Sequence, residues 1–180
     1  MSTGVMVERR RIPLEEFTHE TFSSYGRCLE VPMSEPDRTA GTWASLWNLC
    51  DLEFTLKQPF AGIVRYVQRG FVCSTMERHP GETQTFVPIG DDWSILAVAA
   101  PTDGPLPDPA TFKAFLLDGR KGIVLGRGTW VRHFYPLGPK ADYVIITGRH
   151  TKADDVDNID LAASLGIEFE FILQPEPIGP

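Results

Sequence analysis

No stretch of this sequence approaches the ~20 consecutive apolar residues that a bilayer-spanning helix needs, and the N-terminus lacks a signal-peptide core, so neither membrane nor secretory routing is expected. Basic runs are nearly absent. Beyond Arg9-Arg10-Arg11 the cations are scattered, and 17 Lys and Arg against 24 Asp and Glu give a net charge of −7. That balance lacks the footprint of nucleic-acid binding and favours solubility. Cysteine is sparse: Cys28, Cys50 and Cys73 are an odd number, widely spaced, with no C-x-x-C. Buried, reduced thiols in a cytoplasmic protein are the expectation. No internal repeat and no linker divides the chain.

What is present is ordinary globular material. At 180 residues, 42% hydrophobic and 23% charged, the chain is expected to form one domain over 1–180 and to bury about two-thirds of its unfolded surface. Short β-rich runs punctuated by Gly and Pro dominate: Val64–Gln68, Trp93–Ala99, Ile123–Leu125, Thr129–Phe134, Tyr143–Thr147 and Ile167–Ile172. They favour an all-β barrel or sandwich. Pro13-Leu14-Glu15-Glu16-Phe17 reads as the start of a short N-terminal helix, stopped by Gly26. Met33–Gly41 reads as a loop, Ala110–Leu117 as either helix or extended chain, and Leu161–Gly166 as a helical turn or two. His19 and His150 are expected at the surface, and Pro175, Pro177 and Pro180 close the chain.

The densest chemistry lies in 76–90. Read as two short strands around a Pro80-Gly81 turn, this stretch sets Glu77 and His79 on one face, because side chains two apart on a strand point the same way. The turn brings Gln84 back towards them, with Phe86 and Pro88 continuing that side. An acid, an imidazole and a carboxamide on a shared face are ligand-type groups, costly to bury unpaired. Their order, with Gly90 following, is that of the first metal-binding motif of cupin barrels (H-x-H, three or four residues, E, six residues, G), although two of the three ligand types are altered.

Glu77-Arg78-His79-Pro80, Thr83-Gln84 and Phe86-Val87-Pro88 together resemble the E-R-H-P-x-x-[ST]-Q-x-F-x-P signature of the ureidoglycolate lyase family. Val98-Ala99, Ala114-Phe115, Gly122-Ile123, Gly128-Thr129-Trp130 and Asp142–Ile146 follow in the family's order. The resemblance covers roughly residues 60 to 149, with a looser match from Ile12 to Glu30. It implies a cupin-type, jelly-roll-like β-barrel with a short N-terminal helix, a homodimer, and a place in purine catabolism, in allantoin degradation. The implied reaction splits ureidoglycolate, a small organic acid, into glyoxylate and urea. Such a lyase, cleaving a carbon–nitrogen bond of the amidine-lyase type, needs a base at the hydroxyl, a proton donor for the leaving nitrogen, and a cation or dipoles at the carboxylate.

Two departures bear on that chemistry. The segment where the family places an Asn and an Arg reads Thr42–Asn48, with Trp43 and Trp47 and no basic residue, which suits either a more aromatic pocket or packing of the barrel wall. The family's Trp-His-His run reads Trp130-Val131-Arg132, with His133 next. His133 substitutes for the missing histidine on the same strand face, or the pocket works without metal through Glu77, His79, Gln84 and a cation, or it binds without catalysis. Glu77, His79, Gln84 and His133 are the expected catalytic residues. Arg78, Arg132, Trp130, Trp47 and Tyr66 are the expected substrate contacts, although strand parity sends Arg78 and Arg132 away from that face. Arg65, Arg69 and Arg127 are further cations among which the sequence does not choose. No cofactor is expected; a divalent metal at Glu77, His79, Gln84 and His133 is the alternative, weakened by Val131. A relative acting on another hydroxy or keto compound (isomerase, dehydratase, cyclase or other lyase, biosynthetic roles included), and a non-catalytic small-molecule binder, are the competing functions.

Overall fold

Alternating and wholly apolar runs fold as strands throughout the computed structural model, which describes residues 6–55, 58–149 and 155–173. His150 and Pro175, Pro177 and Pro180 lie outside the described residues. In chain order the elements are β1 (Glu8–Glu16), α1 (His19–Phe22), β2 (Gly26–Leu29), β3 (Arg38–Ala40), β4 (Ala44–Leu46), β5 (Pro59–Val67), β6 (Val72–Cys73) and β7 (Thr75–Arg78). There follow β8 (Gln84–Ile89), β9 (Ser94–Ala99), a 3-10 turn at Pro109–Thr111, β10 (Lys113–Leu117), β11 (Gly122–Leu125), β12 (Trp130–Pro136) and β13 (Lys140–Gly148). β14 (Asp157–Asp160), α2 (Leu161–Leu165) and β15 (Ile167–Ile172) complete them.

The strands make an eight-stranded sheet, ordered β14-β7-β12-β9-β10-β1-β15-β6, a five-stranded sheet, β2-β11-β8-β13-β5, and the β3–β4 hairpin. One core lies between the large sheets: Leu96 and Val98 of β9, Phe115 of β10 and Val131 and Phe134 of β12 meet Phe86 of β8, Ile123 of β11 and Tyr143 of β13. The other face of the eight-stranded sheet curls around a second core containing Met76, Trp130, Tyr135, Ile159 and Phe169. β9 is buried at every position because it sits mid-sheet with apolar groups on both faces, hence its unbroken apolar run. The Tyr143 hydroxyl and Ser94 Oγ, 2.6 Å apart and buried, tie the two sheets together. This is an all-β, cupin-type barrel of jelly-roll-like build.

Four local expectations change. Pro13–Phe17 does not start a helix: Glu8–Pro13 pairs parallel with β15 and Leu14–Glu16 pairs parallel with β10, so Pro13, which has no N–H to give, sits where β1 changes partner. Helix propensity loses to the sheet edge that β1 completes, and the short N-terminal helix is the single turn α1, begun by a Thr18 capping box. Gly26 is not a helix stop. It opens β2, where a Cβ would lie 2.0 Å from the Val124 carbonyl oxygen, so the close approach of β2 to β11 demands glycine. The strands flanking Pro80-Gly81 are not a hairpin either: β7 pairs with β12 and β14, while β8 pairs with β11 and β13. The turn carries the chain from one sheet to the other. Part of the Met33–Gly41 loop, Arg38–Ala40, is strand, and Ala110–Leu117 resolves as the end of the 3-10 turn followed by β10.

Candidate active site

Because β7 and β8 belong to facing sheets, Glu77 and Gln84 approach across the space between them rather than along one strand pair. On β7, Met76 turns into the outer core, so Glu77 faces inward. On β8, Phe86 is fully buried between the sheets, which puts Gln84, two residues earlier, on the same inner face. His133 completes the group. The register of β12 against β9 shifts between Arg132 and Tyr135, a bulge that allows both His133 and Phe134 inward-facing contacts. Hence His133 reaches Glu77 although it is Val131 that pairs with Glu77 in the ladder.

The result is a cavity of about 240 Å³, lined by Val64, Tyr66, Arg69, Glu77, Gln84, Phe86, Arg132, His133 and Ile145. That is below the roughly 300–1,000 Å³ of drug-sized ligand sites, and suits a molecule of few heavy atoms. Wider hollows open on the surface, one of about 700 Å³ beside Leu46 and Trp47. Its lysine, Lys121, is engaged by Glu30 at 2.8 Å.

His133 Nδ1 lies 3.1 Å from Glu77 Oε1, and its Nε2 lies 3.3 Å from the Gln84 carboxamide. An amide offers either a donor or an acceptor, so Gln84 holds the ring whether or not Nε2 carries a proton. The imidazole also stacks on Tyr66, 15° from parallel with centroids 6.1 Å apart, and packs on Phe86 at 5.2 Å. His79 lies behind Glu77 and is only 4% exposed. Its Nδ1 is 2.5 Å from the Asp155 main-chain oxygen; a carbonyl only accepts, so Nδ1 carries the proton and Nε2 faces Glu77 Oε1 at 3.7 Å. Burial alone would raise the Glu77 carboxyl, but the hydrogen bond from His133, with His79 close behind, holds it well below the usual carboxylate range. Burial pushes the Tyr66 hydroxyl far up, so it stays protonated.

Of the expected residues, Glu77, Gln84, His133, Arg132 and Tyr66 line the cavity. Arg132 was expected outward by strand parity; it pairs with Ala97 of the outer core, ahead of the bulge, yet also lines the cavity. Arg78 and Trp130 lie on the other face of the eight-stranded sheet. The Arg78 guanidinium stacks on Trp130 at 4.5 Å and pairs with Asp157 at 2.8 Å, while Trp130 Nε1 donates to Thr102. Neither lines the cavity, because each sits one residue out of phase with an inward-facing neighbour, Glu77 and Val131. Trp47 is also elsewhere, its Nε1 donating to the Ser34 carbonyl, and Trp43, 83% exposed, neither lines the pocket nor packs the barrel wall. His19 pairs with Glu30. Cys28 and Cys73 are buried but Cys50 is exposed, and all three are free. Burial pushes the Cys28 and Cys73 thiols up to about 12, which removes them as nucleophiles at neutral pH.

Two residues were not picked out from the sequence: Arg69, named only as one of three available cations, and Glu82, not singled out at all. Arg69 lies outside any strand, and only the tertiary fold turns it into the cavity. Glu82, 1% exposed, accepts from Thr147 Oγ1 at 2.6 Å and the Gly148 N–H at 3.0 Å, bracing the approach to β8 against the end of β13. A charged residue beside a turn gives no hint of such burial.

Glu77, His133 and Gln84 are in direct hydrogen-bonding contact, and His133 offers opposite edges of its ring to the other two, so the lone pairs do not converge on one point. Ligand atoms of His79, Glu82 and Asp155 lie within 4.8 Å of one another. His79 Nδ1 meets the Asp155 main-chain oxygen, Glu82 accepts from Thr147 and Gly148, and the Asp155 carboxylate accepts from the Gly81 N–H, so the three brace the turn.

Fold and cavity together define a cupin-type barrel with a carboxylate–imidazole pair facing a small polar pocket. The family model described as Ureidoglycolate lyase matches residues 9–168, and the chain belongs to that family. It is 26% identical over 162 residues to the ureidoglycolate lyase of Burkholderia cepacia, covering 87% of this chain and 90% of that protein. The Rhodobacter capsulatus ureidoglycolate lyase is 29% identical over 142 residues, covering 76% and 85%. That of Pseudomonas syringae pv. syringae is 25% identical over 174 residues, covering 94% and 98%. Among solved structures, RmlC from Streptococcus suis in complex with dTDP-D-xylose shares 12% identity over 49% of this chain and 43% of its own, with a TM-score of 0.35, too slight to bear on fold or function.

Proposed function

We propose that this protein is a lyase that cleaves ureidoglycolate to glyoxylate and urea, breaking a carbon–nitrogen bond without a metal. The observation that carries the chemistry is the Glu77–His133 pair, 3.1 Å apart, with the far ring nitrogen of His133 at the cavity beside Gln84. Nε2 of His133 takes the hydroxyl proton of the substrate, the C–N bond breaks as the carbonyl of glyoxylate forms, and the same proton passes to the departing nitrogen to give urea. Glu77 keeps the ring oriented and balances the imidazolium formed in between, as the acid partner of a catalytic histidine does. His79, fixed through Asp155, packs behind Glu77. Incubation with ureidoglycolate and measurement of glyoxylate tests this; no release above the spontaneous rate overturns it.

Self-association belongs to the same proposal. The outer face of the five-stranded sheet carries Ile63 and Val67, 67% and 61% exposed, beside Val87 and Ile89, around an Arg65–Asp142–Lys140 charge cluster. A patch with both charges is self-complementary across a two-fold axis, so a second copy is the partner it fits. Light scattering behind size exclusion should show a dimer that Ile63→Glu converts to monomer. A wild-type monomer refutes it. Among the described residues no helix is long and apolar enough to cross a membrane.

A further inference from the structure

We infer that Arg69 and Arg132 form a carboxylate-binding end of this cavity, and that the ligand it selects is a small monoanionic α-hydroxy or α-keto acid; this rests on reading the cavity as the active site. The titratable groups lining it are Tyr66, Arg69, Glu77, Arg132 and His133. Tyr66 is neutral, so two guanidinium groups face one carboxylate, an excess of one positive charge before His133 takes up a proton. Glu77 is already engaged by two imidazoles, and neither arginine makes an ion pair among the described residues. An uncompensated cation in a partly buried pocket is costly, and an anionic ligand relieves that cost.

Arg69 is pre-positioned for the task. Its guanidinium lies over the Tyr135 ring at 3.9 Å, and one terminal nitrogen donates to the His133 main-chain oxygen. Nε is buried with no partner. A planar guanidinium fixed by stacking retains donors in the fork geometry that matches a carboxylate. The bond to the His133 carbonyl also ties the anion-binding end to the proton-transferring residue itself, so a substrate held by its carboxylate meets His133 across a short span. Val64, Phe86 and Ile145 line the rest and offer nothing to a second charge.

Glycolate and its neutral counterpart glycolamide test the assignment by calorimetric titration against wild type, Arg69→Gln and Arg132→Gln, with ureidoglycolate kinetics in parallel. Glycolate is expected to bind wild type and to weaken about 10- to 100-fold in each variant, as loss of charged hydrogen bonds predicts. Glycolamide should not distinguish the three proteins. The same loss should appear in kcat/KM, mainly through KM. Should a glutamine variant misfold, Arg69→Lys or Arg132→Lys keeps the charge and loses the fork, and a smaller weakening of the same sign is expected. Glycolate that fails to bind wild type, or binds a folded variant within threefold of wild type, overturns the assignment. Arginine-dependent glycolate binding without ureidoglycolate turnover keeps the anion site and removes the lyase reading; turnover with arginine-independent binding does the reverse.

Discussion

Replacing Glu77 by Gln tests the core of the site because it preserves shape while deleting the charge between two imidazoles. A general acid–base residue contributes about 10²–10⁴ in rate, and without the carboxylate His133 loses both its orientation and the balance for its transient charge. A fall in kcat/KM of that size, about 3–5 kcal/mol in the barrel's transition-state binding, is expected in a glyoxylate-release assay. The stability effect is smaller. Hydrogen bonds to charged groups contribute about 1.5–3 kcal/mol, but Glu77 keeps solvent contact through the cavity and Gln retains an acceptor, so about 1–2 kcal/mol is expected. That corresponds to roughly 2–8 °C in Tm at this chain length. The sign with pH follows from the depressed carboxyl of Glu77. Its stabilisation is fully present above the unfolded value of about 4.3 and is lost as pH falls through the lower folded value. The Tm gap between wild type and Glu77→Gln should therefore be widest near neutrality and close in acid. Activity within threefold of wild type would refute the catalytic role, and a Tm gap independent of pH would refute the pairing.

The remaining expectations are narrower. His79→Ala should cost about 1–3 kcal/mol of stability through loss of the Asp155 contact, yet reduce kcat/KM less than Glu77→Gln because the ring lies outside the cavity; His79→Asn, whose amide nitrogen reaches the same carbonyl, should recover part of the melting temperature. Gly26→Ala forces a Cβ onto the Val124 carbonyl and should destabilise by at least about 2 kcal/mol, read as an unfolding midpoint at lower urea. A disulfide thiol reagent should label one cysteine, Cys50, quickly in the native protein and all three only after denaturation; rapid native labelling of Cys28 or Cys73 would contradict their burial.

The motif around Glu77, His79 and Gln84 was legible in the sequence because its residue types are those chemistry uses, and the alternation of Glu77 with Met76 and of Gln84 with Phe86 fixes which side each strand presents. Strand positions, the sparse helix content and the reduced thiols followed from period, punctuation and count. What local pattern could not carry was partnership. Pro13–Phe17 reads as helix until β10 and β15 offer edges for it to pair with, and Pro80-Gly81 reads as a hairpin until its strands find different sheets. One bulge in β12 then decides the site. It puts Phe134 inward beside His133, against a parity rule that holds only for regular strands, and the path of the chain before β6 supplies Arg69. Sequence determines which side chains are available and which face a regular strand gives them; register, bulges and the choice of neighbouring strand arise from long-range packing, which no local window contains.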